Sequence, residues 1–195
     1  MEFICHRVNT KDALENVDLS YGVEIDLRDE NDQLILSHDP FSNGETFESY
    51  LERYKHGTLI LNIKSERIEH RVLELIQKHK IGKYFFLDSS FPMIHLLSNQ
   101  GERNIALRYS EFEGMDVIRN MAGRVDWIWI DCFTKFPLTK DTFSEMKALG
   151  YKLCLVSPEL QGRDDEIELY KALISERGIH FDAICTKSYN ISRWI

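Results

Sequence analysis

The alternation of short β-rich segments with helical segments is the feature that most limits the folds open to this sequence. Eight segments rich in β-branched and aromatic residues recur along the 195 residues, separated by helix-forming stretches. Strict alternation of strand and helix predicts a parallel sheet, and eight units predict closure into a (β/α)8 barrel. The predicted strands are residues 2–5, 22–27, 58–63, 84–87, 104–108, 127–130, 152–156 and 182–185.

The connections between these strands complete the predicted fold class. Residues 66–79 carry the clearest helical pattern, because Ile68, Val72 and Leu75 share one face. An extra β-hairpin is predicted after the second strand, where a turn at residues 31–33 leads into a short apolar run. We therefore expect an α/β protein in which residues 1–195 form a single compact parallel (β/α)8 TIM barrel. An open doubly wound sheet is the alternative, although no Gly-x-Gly-x-x-Gly or Walker loop follows the first strand.

Composition limits the partners and the compartment. The formal net charge of −8 argues against non-specific nucleic-acid binding but allows a small anion in a locally basic pocket. The four cysteines lack the spacing of a zinc site or a disulfide framework, so we expect reduced thiols in a cytoplasmic protein. No apolar stretch approaches the roughly 20 residues that cross a bilayer, and charge appears at once in the first residues. We expect neither a membrane span nor a signal peptide, and the oligomeric state stays open.

Two acidic side chains mark the second predicted strand. Glu24 and Asp26 alternate with three aliphatic residues, so both carboxylates lie on the face opposite the packing face. Carboxylates this close repel each other unless a cation lies between them or one is protonated, which favours a divalent metal ion such as Mg²⁺ or Ca²⁺. The alternative is an exposed edge strand with its acids in water, which a closed barrel does not have.

Basic and amide side chains end several other predicted strands, at the mouth where parallel barrels bind their substrates. Alternation along the third strand places Asn62 and Lys64 on one face. Arg108 and Lys187 end the fifth and eighth strands, where they are equally compatible with solvated surface charges.

Two histidines accompany these residues. His6, beside Arg7 at the end of the first strand, is a candidate acid or base next to an anion site, although a lone histidine is more often structural. His38 precedes an Asp-Pro pair and, taken singly, fits an ordinary turn.

The order of these elements resembles the glycerophosphodiester phosphodiesterase family. In that family a His-Arg-Gly start is followed by Glu-Asn-Thr, a Glu-x-Asp strand, a hairpin and a His-Asp pair, and later by an Ile-Glu-Ile-Lys strand. The resemblance spans most of the chain and is strongest over residues 4–64. The residues that carry it are His6-Arg7, Asn9-Thr10, Glu24, Asp26, His38-Asp39 and Leu61-Asn62-Ile63-Lys64.

The resemblance implies a metal-assisted phosphoric diester hydrolase that acts on a small glycerophosphodiester-like molecule. It implies that His6 and His38 are the catalytic acid and base. It further implies a divalent metal ion, Mg²⁺ or Ca²⁺, held by Glu24 and Asp26, with Asn62 in the position of a third acidic ligand. The phosphate contacts are expected to be Arg7 and Lys64, with Arg108 and Lys187 as further candidates.

Departures from the family pattern keep other functions open. Val8 replaces the glycine of the first motif, Asn62 replaces an acid, and the insertion that covers the glycerol end in many relatives is missing after His38. An open mouth predicts a bulkier or different alcohol group. The alternative function is a catalytically silent barrel that binds a phosphorylated metabolite or a partner protein. A third possible function is a sugar-phosphate isomerase or lyase, which needs a lysine or an acid beside a substrate carbonyl group, and Lys64 is the only candidate for that group. We favour the enzyme, because both histidines and both acids occur together.

Overall fold

The computed structural model describes residues 1–195 and contains ten strands and eight helices. The strands are β1 (Glu2–Cys5), β2 (Gly22–Glu30), β3 (Gln33–Leu36), β4 (Glu45–Thr46), β5 (Leu59–Ile63), β6 (Tyr84–Leu87), β7 (Ala106–Tyr109), β8 (Trp127–Ile130), β9 (Lys152–Val156) and β10 (Ala183–Thr186). The helices are α1 (Lys11–Glu15), α2 (Phe47–Leu51), α3 (Glu69–Lys78), α4 (Phe91–Asn99), α5 (Met115–Asn120), α6 (Lys140–Ala148), α7 (Ile167–Arg177) and α8 (Ile191–Trp194).

All ten strands belong to one sheet, which is mixed rather than purely parallel. Parallel ladders join β1 to β10 and β2, β2 to β5, β5 to β6, and β7, β8, β9 and β10 in sequence. The strands β3 and β4 are antiparallel, because the predicted hairpin folds back onto β2. The sheet is therefore not purely parallel, since the barrel strands were predicted parallel and the extra hairpin adds an antiparallel part. The pairing of β3 with residues 27–30 makes β2 longer than predicted.

The contact between β6 and β7 differs from every other contact between neighbouring parallel strands. A single parallel bridge, Phe86 with Ile105, joins them where the other neighbours share ladders. Closure of the eight parallel strands into a barrel stays a prediction.

The parallel strands are buried on both faces, as their apolar sequences predict. All four residues of β8 are buried, and so are all five of β5. The predicted apolar stripe of α3 packs inward through Val72, Leu75 and Ile76. The apolar residues among these belong to one core of 58 buried residues, and all four cysteines are buried free thiols. No helix in the structure is both long and apolar enough to cross a membrane.

Two local features fix how β2 lies against its neighbours β1 and β5. Gly22 opens β2 at a point where a Cβ atom would lie 2.4 Å from the carbonyl oxygen of Thr58, so no larger residue fits there without a shift. Arg7, immediately after β1, has a left-handed φ of 55°, which turns the chain sharply at the end of the strand. The segment that follows bonds to β2, because the amide of Val8 donates to the carbonyl of Glu24 at 2.9 Å.

Candidate functional site

The carboxylates of β2 form the buried centre of the site. Glu24 and Asp26 are 1% and 0% exposed, and Asn62 on β5 lies opposite Asp26 in the strand register. The Nδ2 atom of Asn62 donates to Glu24 Oε1 at 2.7 Å and to Asp26 Oδ1 at 3.2 Å. The structure thus brings together the three residues predicted as metal ligands.

The electrostatics of this centre are those of two buried carboxylates held close together. Burial raises the pKa of Glu24, and the negative charge of Asp26 raises it further, whereas hydrogen bonds from Asn62 and the amide of Arg7 partly offset both effects. The Oδ1 atom of Asn62 is buried without a hydrogen-bond partner, because it is the amide nitrogen that faces the carboxylates. A half-turn of the amide would exchange the two atoms and give three oxygen donors, the type that Mg²⁺ and Ca²⁺ prefer.

Asn9 fixes the position of Asp26. Its Nδ2 atom donates to Asp26 Oδ2 at 2.8 Å, and the amide of Asp26 donates to Asn9 Oδ1 at 2.8 Å. This reciprocal pair leaves the orientation of the carboxylate little freedom. In the sequence, Asn9 belongs to a motif shared with the family, but nothing in the sequence predicts that it holds the carboxylate of Asp26.

His6 lies between the acid pair and a lysine. Its Nε2 atom is 3.9 Å from Glu24 Oε2, and its Nδ1 atom is 3.0 Å from Nζ of Lys187. Burial and, to a smaller extent, the positive charges of Lys187 and Arg7 together lower the pKa of His6 to about 3. The imidazole is therefore neutral at pH 7, with Nδ1 accepting a hydrogen bond from Lys187.

His38 approaches the same site from the hairpin. Its Nδ1 atom lies 2.8 Å from Oδ1 of Asp39, and its Nε2 atom lies 2.6 Å from Nη2 of Arg7. The backbone amide of Arg7 donates in turn to Glu24 Oε2 at 2.7 Å. Arg7 thus links His38 to the acid pair, and the structure brings both predicted histidines to one site.

The four predicted phosphate contacts divide into two groups. Arg7, Lys64 and Lys187 surround the acids and His6, with Lys64 Nζ 3.7 Å from Asp26 Oδ1. Arg108 instead forms ion pairs with Asp88 and Asp131. Burial opposes its charge, but the two carboxylates outweigh burial and raise the pKa of Arg108.

One cavity of about 310 Å³ is lined by Arg7, Lys187 and Arg108, and the sequence analysis assigned no role to several of its other residues. Asp88, Asp131 and Glu159 all follow strand ends, and this position was the sequence signal that could have identified them. The family motif assigned them no function. The carboxylate of Asp131 accepts from Gln161 Nε2 at 2.8 Å. The cavity is lined by His6, Arg7, Glu24, Asn62, Leu87, Asp88, Arg108, Trp129, Asp131, Val156, Glu159, Leu160, Gln161 and Lys187.

Arg28, half-buried on β2, holds two parts of the site in place. Its Nε and Nη2 atoms donate to the carbonyl oxygen of His38 at 3.2 and 2.9 Å, and its Nη1 atom donates to the carbonyl oxygen of Lys64 at 2.9 Å. One guanidinium therefore joins the loop of His38 to the end of β5. Sequence reasoning missed it, because the bonds go to backbone atoms that only the fold brings near.

We expect Arg28→Ala to lower the free energy of unfolding by about 1–3 kcal/mol, because two carbonyl groups lose a charged donor. Urea unfolding of the purified variant measures the change. Arg71→Ala is the control, since the side chain of Arg71 is 62% exposed and pairs with Glu74 on the same helix. Equal changes in the two variants would show that Arg28 is no more than a surface charge.

Comparisons with known proteins give a structural likeness. No protein-family model matches this sequence, and no curated protein matches it. A crystal structure of a glycerophosphodiester phosphodiesterase from Agrobacterium tumefaciens str. C58 aligns with a TM-score of 0.64 and 16% identity, over 95% of this chain and 96% of that chain. A glycerophosphoryl diester phosphodiesterase from Parabacteroides distasonis ATCC 8503 aligns with a TM-score of 0.64 and 16% identity, over 100% of this chain and 87% of that chain. The fold is thus a mixed α/β fold similar to the TIM barrels of these enzymes.

Proposed function

We propose that this chain is a metal-assisted phosphodiesterase that cleaves glycerophosphodiester-like substrates, with His6 and His38 as its acid–base pair. The observation that carries the proposal is the chain of contacts from His38 through Arg7 and Glu24 to His6, in a fold similar to that of phosphodiesterases. We also propose that the eight parallel strands act as a closed barrel, with the Phe86–Ile105 bridge completing the ring.

The phosphate of the substrate binds among the cationic side chains of Arg7, Lys64 and Lys187. A phosphodiester carries one negative charge, and hydrogen bonds from charged donors to an anion are roughly twice as strong as neutral ones. Arg108 contributes less, because Asp88 and Asp131 already neutralise it. Its role in this proposal is to order the wall of the cavity.

Proton transfer falls to the two histidines. One takes the proton of the attacking hydroxyl, which belongs either to water or to a neighbouring hydroxyl of the substrate, and the other protonates the departing alkoxide. Lys187, Arg7 and Lys64 all lower the pKa of His6. An anionic phosphate bound among these cations offsets their charges, so His6 gains a proton more easily in the complex.

The residues Glu24, Asp26 and Asn62 would hold the divalent ion, with Asn62 contributing Oδ1. The two buried carboxylates and the unpartnered amide oxygen support this assignment. A bound cation supplies positive charge that stabilises the additional negative charge of the phosphoryl oxygens in the transition state.

Removal of divalent cations is expected to abolish activity on bis(4-nitrophenyl) phosphate, and Mg²⁺, Mn²⁺ or Ca²⁺ should restore it. The cation should also raise the melting temperature of the wild-type protein, because binding to the folded state stabilises it. Glu24→Gln is the matched control and should lose this thermal shift. Full activity in excess chelator would contradict the metal assignment.

A second candidate function is a silent barrel that binds a phosphorylated ligand. The hydrogen bonds from Asn62 Nδ2 to both carboxylates favour it, since they satisfy the acids without a metal ion. It predicts binding of inorganic phosphate with no turnover of any phosphodiester at any cation concentration.

A further inference from the structure

A second cavity adjoins the site cavity. It has a volume of about 600 Å³ and shares the side chains of Leu87, Asp88 and Arg108 with the cavity that His6 lines. A ligand whose phosphate lies among the cations of the site could therefore extend past Arg108 into this space. Cavities of roughly 300–1,000 Å³ are typical of small-molecule sites. We call this second cavity the side groove.

The far wall of the side groove is apolar. Ile94 from α4 and Leu107 from β7 form its floor, and Phe91 and Val117 flank it with 51% and 44% of their surface exposed. Beyond the residues shared with the site, only Ser89 and Glu113 bring polar side chains to the lining. Ser89 Oγ is buried without a hydrogen-bond partner, near the junction with the site at Asp88. The side groove is therefore polar where it meets the site and apolar away from it.

Exposed aromatic side chains are concentrated at the same end of the molecule. Five phenylalanine and tyrosine residues are exposed, and each lies in a segment that follows a strand at the site end. Phe133 lies beside the shared Arg108, whose guanidinium carbon is 5.9 Å from the ring centroid, and Phe112 packs against Phe133 at 6.2 Å. The five residues are Phe41, Phe91, Phe112, Phe133 and Tyr189. Apolar surface thus surrounds a site whose centre is charged.

We infer that the side groove binds a hydrocarbon chain carried by the alcohol part of the phosphodiester substrate. The inference rests on the proposed function and names its substrate class, a phosphodiester with one amphipathic alcohol. The cations of the site match the phosphate, the polar junction matches the glycerol oxygens, and the apolar wall matches the chain.

Two substrates with the same reactive end test the inference. Glycerophosphocholine and its 1-hexanoyl ester both keep the free hydroxyl next to the phosphate, and only the ester carries a chain. Because each buried methylene is worth about fourfold in affinity, we expect kcat/KM for the ester to exceed that for the parent compound by about tenfold or more. The assay is run below the micelle concentration of the ester. Equal values of kcat/KM would overturn the inference and leave the phosphodiesterase intact.

Matched variants locate the effect. Val117→Glu places a charge in the apolar wall, so the ratio of kcat/KM between ester and parent should fall towards one. Leu169→Glu is the control, because Leu169 is 53% exposed on α7 and lies outside the side groove. The ratio in this control should match that of the wild type. An equal loss in both variants would overturn the assignment to the groove.

A binding measurement separates this inference from the proposed function. Octyl phosphate and ethyl phosphate are monoesters that differ in chain length. Calorimetry should show that the wild type binds octyl phosphate more tightly than ethyl phosphate, and that Val117→Glu binds the two with equal affinity. That result without turnover of any diester would keep the groove and overturn the phosphodiesterase. Rate enhancement that appears only with micelles of a long-chain 1-acyl ester would assign chain recognition to the exposed aromatic side chains and overturn the groove.

Discussion

Replacing either His6 or His38 with alanine is expected to lower turnover of a phosphodiester by about 10²-fold to 10⁴-fold, the usual contribution of a positioned acid or base. Both rings contact charged neighbours that fix their orientation, Lys187 for His6 and Arg7 for His38. Steady-state kinetics at saturating cation measures the loss. Folding should survive both changes, since neither ring belongs to the hydrophobic core.

An exposed histidine serves as the control for these variants. His70→Ala removes a ring on α3 that contacts Gln100 rather than the site, so its turnover should equal that of the wild type. The leaving group then separates the two catalytic roles, because 4-nitrophenolate leaves without protonation. The variant that lacks the acid should lose much less activity on a nitrophenyl ester than on an alkyl ester. A variant that keeps full turnover on both esters would remove its histidine from the mechanism.

Asn62→Glu is expected to tighten the binding of Mg²⁺ or Ca²⁺ by about tenfold or more. The substitution changes the ligand set from two formal negative charges to three, next to carboxylates that are 1% and 0% exposed. In the wild type, the substrate phosphate supplies part of the missing charge, so cation and substrate should bind cooperatively. Calorimetric titration of each cation measures the affinity.

The matched control for this charge effect is Asn62→Gln, which keeps an amide and should not tighten cation binding. In Asn62→Glu the cooperativity between cation and substrate should also become weaker, because the third charge is now permanent. Equal cation affinity in the wild type and in Asn62→Glu would place Asn62 away from the metal. The alignment of β5 on which the role of Lys64 also depends would then fail.

Periodicity predicted the framework of the fold. Each of the eight predicted strands overlaps a strand of the structure. Short apolar runs between helical segments are typical of buried parallel strands, so the pattern predicts them well. The extra hairpin was predicted from its turn, and its pairing with β2 is confirmed. Alternation along single strands was equally informative, since Glu24, Asp26 and Asn62 do meet through their side chains.

The features of the site that the sequence did not predict depend on contacts between segments that are far apart in the chain. The ion pairs of Arg108 with Asp88 and Asp131 join three different strand ends, and none of these pairs has a local sequence signal. The bonds of Arg28 go to carbonyl groups, which every residue possesses. The orientation of the Asn62 amide follows from two neighbours on β2, and the side groove follows from the packing of α4 and α5 beside a single β6–β7 bridge.

Phosphorus NMR of glycerophosphocholine incubated with the wild-type protein and Mg²⁺ or Ca²⁺ tests the central claim most directly. The diester resonance should be replaced by that of glycerol phosphate or of a five-membered cyclic phosphate, and the spectrum should stay unchanged with His6→Ala over the same time. A diester signal that persists with the wild-type protein across the cations and across diesters with other alcohol groups would contradict the account.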